Sequence, residues 1–299
     1  QPKVKMPTTI GYGNGYQISY MNSGKMTNKG WEFRVDAVPF QNKDWRVGVY
    51  FNIAHNENKI TEMPDNYIEE NYTFGNGNYA YRREEGRPMG SFYGYRYKGV
   101  YQNKDATYAR DIEGNVMKDI SGNAIVMRNG SYTVAPGDAI YEDVNHDGVI
   151  NQYDIVYLGN SNPRLTGGAG LNVSYKQFKL SAIFYGRYGQ DVVNATRLNN
   201  ESMRGIDNQS TAVLRRWRNE GDQTDIPRAL YGEGYNTLGS DRFVEDASYL
   251  RLKSLSFTYR LPKKAIQRWG FNNIDVYVTG YNLFTWTKYT GQDPEVKTE

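Results

Sequence analysis

The sequence predicts an all-β fold, a section of a large antiparallel transmembrane β-barrel with long extracellular loops. Three observations predict it. Apolar and polar residues alternate with period two in several separate stretches, the pattern of strands with one apolar and one polar face. Some of these stretches reach the roughly nine to eleven residues that a membrane strand needs, against the usual five or six of soluble sheets. Very short turns also alternate with very long connections, which puts all the short turns on one side.

Residues 1–30 are rich in glycine, asparagine and tyrosine and lack sustained alternation, which predicts an extracellular loop. A barrel hairpin follows at 31–58. Trp31, Phe33, Val35 and Ala37 alternate with Glu32, Arg34 and Asp36. After the turn at Gln41, Asn42, Lys43 and Asp44, the residues Trp45, Val47, Val49, Phe51 and Ile53 alternate with Arg46, Tyr50 and Asn52. Residues 59–165 leave this rhythm for far longer than an ordinary loop, so they predict a long extracellular loop with a function or a small structure of its own. Within it, DIEGNV at Asp111 and DISGNA at Asp119 each place a Gly-Asn pair between short strand-like runs, which predicts two tight turns.

A second hairpin at 166–186 sets Leu171, Val173 and Tyr175 against Asn172, Ser174 and Lys176, then Phe178, Leu180, Ala182 and Phe184 against Lys179 and Ser181. Residues 187–242 form another long polar loop. There Arg215, Arg216 and Arg218, followed by Glu220, Asp222 and Asp225, predict a local ion-pair network. The third hairpin, at 243–286 and joined through Pro262 to Asn273, carries the clearest pattern. Leu255, Phe257, Tyr259 and Leu261 alternate with Ser254, Ser256, Thr258 and Arg260, and Ile274, Val276 and Val278 with Asp275, Tyr277 and Thr279. It ends in Phe284 and Trp286, aromatic residues of the kind that collect at a membrane surface. Residues 287–299 start the next loop.

Composition narrows the function classes. The 299 residues contain no cysteine, which excludes a disulfide scaffold and any CxxC site. A net charge of +3 is small for this length and argues against nucleic acid as a partner. No run of about eighteen apolar residues exists for a membrane helix, and residues 1–9 have no apolar core for a signal sequence. The mean hydropathy of −0.76 still suits a membrane barrel, whose strands alternate and whose loops are polar.

Two histidines, His55 and His146, and the lack of GxSxG or phosphate-cradling motifs predict a protein that is not an enzyme and takes no organic cofactor. The adjacent carboxylates Glu69-Glu70 and Glu84-Glu85 point apart on an extended chain. Loop tyrosines (Tyr72, Tyr79, Tyr81, Tyr93, Tyr95, Tyr231 and Tyr235) can stack on sugar rings or pack the loops together, and packing is the commoner use.

The sharpest local motif is DVNHDGVINQYD. Counted from Asp143, oxygen-bearing side chains fall at positions 1, 3, 5, 9 and 12, namely Asp143, Asn145, Asp147, Asn151 and Asp154. Gly148 occupies position 6, and Val149 offers its carbonyl at position 7. This is the spacing of an EF-hand-type loop with Asp in place of Glu at the last position, and it predicts a structural Ca²⁺ or Mg²⁺ site at 143–154. The other reading is an Asx-rich turn without metal. His146 sits at a non-ligand position and is expected to be exposed.

The string FVEDASYLRLKSLSFTYRLP and the later NLFTWTKYTGQDPEV resemble the C-terminal barrel region of the SusC/RagA family of TonB-dependent outer-membrane transporters. NSGKMTNKGWEF, GSFYGYRYKGVYQ and VLRRWRNEGDQTDIPRA extend the resemblance over most of the chain. It implies the cell outer membrane of a Gram-negative, Bacteroidetes-like bacterium and energy-dependent import of oligosaccharides or oligopeptides. It also implies three partners: a SusD-like surface lipoprotein, the TonB complex reached through an N-terminal plug region, and outer-membrane lipid. Six strands are too few to close a barrel, so the chain is expected to be a fragment, with a signal peptide, plug and final strand lying outside it. A secreted, calcium-stabilised β-sandwich that binds glycans shares the alternation and is the competing reading.

Overall fold

The computed structural model describes residues 3–9, 18–63, 70–74 and 77–295. Its main feature is a seven-stranded sheet in which spatial order follows chain order. The strands are β1 (Lys3–Thr9), β2 (Ile18–Gln41), β3 (Trp45–Glu62), β4 (Leu165–Tyr175), β5 (Phe178–Tyr188), β6 (Tyr249–Arg260) and β7 (Asp275–Thr287). The chain divides into two compact units. One comprises residues 27–59, 162–191 and 246–299, and the other residues 1–26, 60–161 and 192–245.

The first unit is the wall. Its β2–β3 turn is closed by Asn42, whose Oδ1 accepts the amides of Asp44 and Trp45 at 2.9 and 2.8 Å. Strands β3, β4 and β5 pair without interruption, from Leu165 opposite His55 and Tyr188 to Tyr175 opposite Trp45 and Phe178. Such a strict register follows from the period of two, because a slip by one residue would turn every apolar side chain to the wrong face. The β5–β6 and β6–β7 ladders shift once, at Ile183/Phe184 and Leu252/Ser254, which leaves Lys253 as an extra residue in a bulge. The β6–β7 connection is not a bare turn: Lys263–Ile266 is helical and Gln267–Trp269 forms a 3-10 turn.

Residues 1–30, expected as loop, instead contain β1 and the first part of β2. Lys3 through Thr9 pair with Lys25 through Ile18. Strand β2 is 24 residues long and β3 is 18, well past the membrane requirement. A strand that extends beyond the apolar layer no longer needs an apolar face toward lipid. It keeps its backbone hydrogen bonds without needing alternation, so the polar stretch before Trp31 carried no period-two signal.

The second unit has its own core: Tyr95, Tyr101, Met127, Tyr141, Ile150 and Tyr235 are buried together, flanked by smaller clusters around Leu198 and Met203. The long 59–165 connection therefore carries a small structure. It includes a four-stranded sheet in the order Val156–Asn160, Ser91–Gly94, Gly77–Tyr81, Glu70–Phe74. The DIEGNV and DISGNA segments are tight turns flanked by single bridges, Arg110 with Val116 and Lys118 with Ala124. Gly114 and Gly122 take φ of +87° and +84° there, which a side-chain-bearing residue rarely adopts.

Candidate functional site: membrane wall, polar inner face and cation loop

Alternation gives the wall unit two chemically opposite faces. On one face Val47, Leu171, Val173, Leu180, Leu255, Phe257 and Val278 form an apolar band, as the registers of β3 to β7 place them in line. The face is bare: Phe51, Phe257 and Val276 remain 46%, 44% and 58% exposed. A soluble β-sandwich covers such a face with a second sheet, and among the described residues no second sheet of the wall unit does so. Aromatic rings close both ends of the band. Near the short turns, Trp45 meets Tyr175 at 4.3 Å and Phe178 meets Tyr259 at 4.9 Å between ring centroids. At the far end Phe284 and Trp286 stack at 6.2 Å, and Trp31 lies 5.9 Å from His55. Eleven-residue strands such as β4 span about 35 Å along their own axis. Tilted as barrel strands are, that crosses a hydrocarbon layer.

The other face is polar and internally paired. Arg34 forms a fork with Asp36 (2.7 and 3.1 Å), and Arg260 does the same with Asp275 (2.8 and 3.0 Å). Ser181 donates to Asn172 at 2.8 Å, and Ser256 and Thr279 share a hydrogen bond of 2.8 Å. Gly170 lets the Tyr50 ring lie flat on the sheet, where a Cβ would come within 1.9 Å of it. Arg251 is 5% exposed and is held by Thr285 Oγ1 at 2.9 Å, Glu295 at 2.8 Å and Asp293 at 2.5 Å. Lys253, at the bulge, also reaches Glu295 at 2.8 Å. This cluster folds the segment after β7 back onto the polar face. Sequence reasoning missed it; its signal was two cations on a face otherwise lined by Ser, Thr and Tyr, followed by the acids of Asp293 and Glu295.

An apolar band between aromatic girdles, backed by a paired polar face, is the anatomy of an outer-membrane barrel wall. No family model matches the chain. Its relatives are clear nonetheless. It is 32% identical over 289 residues to the TonB-dependent receptor P3 of Formosa agariphila, covering 94% of this chain and 26% of that protein. It is 28% identical over 303 residues to the TonB-dependent receptor SusC of Bacteroides thetaiotaomicron, covering 98% of this chain and 26% of that one. Its fold matches a solved structure of the RagAB peptide transporter with a TM-score of 0.70 at 27% identity, over 96% of this chain and 29% of that one. Over nearly its whole length the chain is similar to SusC- and RagA-type TonB-dependent receptors and transporters. It spans between a quarter and a third of the length of the relatives it matches, and the all-β barrel section expected from alternation is the fold found.

In SusC/RagA terms, the wall unit is barrel, and residues 60–161 and 192–245 of the second unit are elaborated connections between barrel strands. Tyr79, Tyr93, Tyr95 and Tyr235 are buried in that unit, so they pack it; Tyr231 is exposed, and the side chains of Tyr72 and Tyr81 lie outside those described. Burial pushes the phenols of Tyr95 and Tyr101 up to about 12, which keeps them neutral. Glu84 and Glu85 diverge: Glu84 accepts from Tyr93 OH at 2.9 Å, while Glu85 accepts the Met63 amide at 2.9 Å. Glu69 lies outside the described residues, as does the side chain of Glu70. The expected ion-pair network after Arg215 is replaced by backbone contacts. Arg216 and Arg218 donate to the carbonyls of Val213 and Leu214, and Asp222 accepts the amides of residues 218 and 219. A 3-10 turn at Thr211–Arg215 exposes those carbonyls nearer than any acid.

The hub of the second unit was also missed. Asp138 is fully buried, and its carboxylate accepts from Arg228 Nε (2.7 Å) and Nη2 (3.3 Å), Tyr132 OH (2.7 Å), Ala135 N (2.9 Å) and Asn236 Nδ2 (3.2 Å). Its hydrogen bond raises the pKa of Arg228 further. Gly137 beside it takes φ +88°, and a Cβ there would meet the Trp217 ring at 2.3 Å. The four residues Ala135-Pro136-Gly137-Asp138 are the only sequence trace of this hub.

The loop at 143–154, where the spacing predicts a cation, is a compact turn stitched to its own backbone. Asp143 accepts the amides of Asp147 (3.2 Å) and Gly148 (2.8 Å), Asp147 that of Val149 (2.8 Å), and Asn151 that of Tyr153 (2.9 Å). Asn145 donates to Asp147 at 2.9 Å, and the Val149 carbonyl accepts from Asn151 Nδ2 at 3.0 Å. Asp154 is fully buried and accepts the amides of Val144 and Asn151, both at 2.8 Å. Burial, together with the nearby charges of Asp143 and Asp147, pushes its carboxyl above the ordinary 3.8. Among the described residues, no three acidic, histidine or cysteine side chains converge as metal ligands. The donor set itself, hard oxygens of three carboxylates with amide and backbone carbonyls, is of the type that Ca²⁺ and Mg²⁺ take. His146 is exposed, with φ +55°.

Proposed function

We propose that this chain supplies lipid-facing wall, polar lumen lining and extracellular loops to an outer-membrane importer of oligosaccharides or oligopeptides. TonB energises it, and a SusD-like surface lipoprotein covers its mouth. The observation that carries the reading is the two-faced wall. A sheet with a bare apolar band, two aromatic girdles and a hydrogen-bonded polar face is stable only with lipid on one side and water or protein on the other. The relatives are receptors and transporters, and wall and loops of this kind bind and conduct cargo without breaking bonds. The test uses the full-length protein in its native bacterium. The reading expects recovery in the outer membrane, co-purification of a lipoprotein, and TonB-dependent uptake of labelled oligosaccharides or oligopeptides that is lost on gene deletion. Recovery as a soluble species, or unchanged uptake of both cargo classes on deletion, refutes it.

We further propose that Asp143, Asn145, Asp147, the Val149 carbonyl, Asn151 and Asp154 hold a structural Ca²⁺ or Mg²⁺. The supporting observation is the buried Asp154 carboxylate, raised by burial and by two acids beside it, which a cation would relieve. Binding would require the side chains of Asp143 and Asp147 to share their oxygens between the loop amides and the ion. Calorimetric titration of the full-length protein with CaCl₂ and MgCl₂ tests this. Saturable heat that Asp147→Ala abolishes supports the site, and no saturable heat below about 1 mM, the weak end of extracellular calcium modules, contradicts it.

A further inference from the structure

The short-turn end of the wall carries a charge that the wall does not balance. Three connections lie there, residues 42–44, 176–177 and 261–274. They hold five cations, Lys43, Lys176, Lys263, Lys264 and Arg268, against one acid, Asp44. All five are exposed, and none forms an ion pair among the described residues. Asp275, the next acid along the chain, is already taken by Arg260. The β6–β7 connection differs from the other two in being long and ordered. After Pro262 come the helical turn Lys263–Ile266 and the 3-10 turn Gln267–Trp269, ended by Gly270 at φ +79°. The amide of Phe271 returns to the Ile266 carbonyl at 3.4 Å, and that of Leu261 to the Ile274 carbonyl at 2.9 Å. Ile266 is buried, yet Trp269 and Phe271 stand 64% and 53% exposed.

We propose that the β6–β7 connection docks on anionic phospholipid in the periplasmic leaflet of the outer membrane. Trp269 and Phe271 enter the boundary between headgroups and acyl chains, and Lys263, Lys264 and Arg268 meet the phosphates. Three observations fix that occupant. The connection lies where the apolar band stops, and the rings of Trp45, Tyr175, Phe178 and Tyr259 mark headgroup depth there. Two large exposed aromatic side chains among cations, with no acid from Leu261 to Ile274, are the composition of a segment that lies in a membrane surface. The unbalanced rim, to which Lys43 and Lys176 also belong, complements a negative leaflet, and each cation near such a surface favours contact by about fivefold. The Arg268 guanidinium already lies 6.0 Å over the Trp269 ring, so charge and ring share the same boundary. Short turns of an outer-membrane barrel face the periplasm, and glycerophospholipid is what that leaflet presents to them.

The proposal rests on the reading of the wall as an outer-membrane barrel, and the experiment separates the two. A nitroxide is placed at Asn272 in cysteine-free full-length protein, which is folded into bilayers of dioleoylphosphatidylcholine with or without dioleoylphosphatidylglycerol. Its collision rates with oxygen and with a water-soluble nickel chelate are compared. The oxygen-to-nickel ratio is expected to be at least threefold higher with phosphatidylglycerol than without, a difference that molar salt removes. Neutralising the cations together (Lys263→Gln, Lys264→Gln and Arg268→Gln) is expected to abolish that difference, and Arg268→Lys alone to keep it. Trp269→Ser with Phe271→Ser is expected to lower the ratio at least threefold in both bilayers. Folding of each variant is checked by heat-shifted migration on a gel; where one does not fold, the salt dependence of the wild type decides. The same ratio in both bilayers, or a difference that survives neutralisation or molar salt, overturns the headgroup contact. A ratio unmoved by the double serine variant, or a label shielded from both probes in every bilayer, means that protein rather than lipid covers the segment and overturns the docking. A label at Leu180 that favours nickel overturns the wall reading instead.

Discussion

Replacing Arg228 with methionine removes the cation from a carboxylate that has no access to water. Asp138 is 0% exposed, and Arg228 supplies two of its five hydrogen bonds. Breaking a buried pair from one side costs about 3–5 kcal/mol, because the remaining charge stays desolvated. Two features lower that figure here. The Arg228 side chain is 32% exposed, so part of its charge is already screened. Tyr132, Ala135 and Asn236 also continue to donate to the carboxylate. The expected loss is about 2–3 kcal/mol, or about 30- to 160-fold in the local opening equilibrium. Hydrogen exchange of the full-length protein in detergent reads it at the amides of Tyr101 and Gly137, which bond to Asp138 O and Tyr101 O, and at Arg228, which bonds to Gly137 O. The double variant Asp138→Leu with Arg228→Met is expected to recover part of the loss, because neither charge remains buried alone. Exchange at these amides altered by less than about threefold in Arg228→Met, or accelerated equally throughout the wall strands, refutes the reasoning.

Gly137→Ala combines a left-handed backbone with a Cβ 2.3 Å from Trp217, so it is expected to open the same hub by about 2 kcal/mol or more, visible as faster proteolysis between residues 101 and 141. Arg251→Met frees Asp293 and leaves Glu295 to Lys253 alone, and the amides of residues 288–295 should then exchange at least tenfold faster while β6 and β7 stay protected. Asp154 gives a pH signature. Its folded pKa is raised, so it contributes stability below the ordinary 3.8 that is lost as pH rises through the raised value. Without divalent cations, the Val144 and Asn151 amides should be better protected at pH 4 than at pH 7 after correction for intrinsic exchange. Asp154→Asn should flatten that dependence.

How much was legible follows from where each interaction keeps its partners. Strands β4 and β5 were readable almost to the residue, because Leu171 to Phe184 carry a complete period-two pattern across a turn too short to misplace. The start of β2 was not, since from Asn22 to Lys29 the strand has one large apolar residue, Met26, and no alternation. The bulge at Lys253 and the left-handed Asn282, with φ +51°, have no local signature; both arise from fitting β6 to β7. The Asp138 hub and the Arg251 cluster join residues 90 and 42 apart with Arg228 and Asp293. Charges in sequence show that partners are needed but not which ones meet. The loop at Asp143 displays its oxygen spacing openly, while the hydrogen bonds that those oxygens make to their own backbone appear only in three dimensions.

The central claim is that the wall has one lipid face and one lumen face. It is tested most directly along β5; these 299 residues contain no cysteine, and any cysteine elsewhere in the full-length protein is first replaced. Nitroxides are placed one at a time from Lys179 to Tyr185 in the full-length protein in lipid bilayers, and their collision rates with oxygen and with a water-soluble nickel chelate are compared. The account predicts that labels at Leu180, Ala182 and Phe184 favour oxygen, and that those at Lys179, Ser181 and Tyr185 favour nickel or are shielded from both. A profile with no period of two, or nickel access at all seven positions, contradicts it.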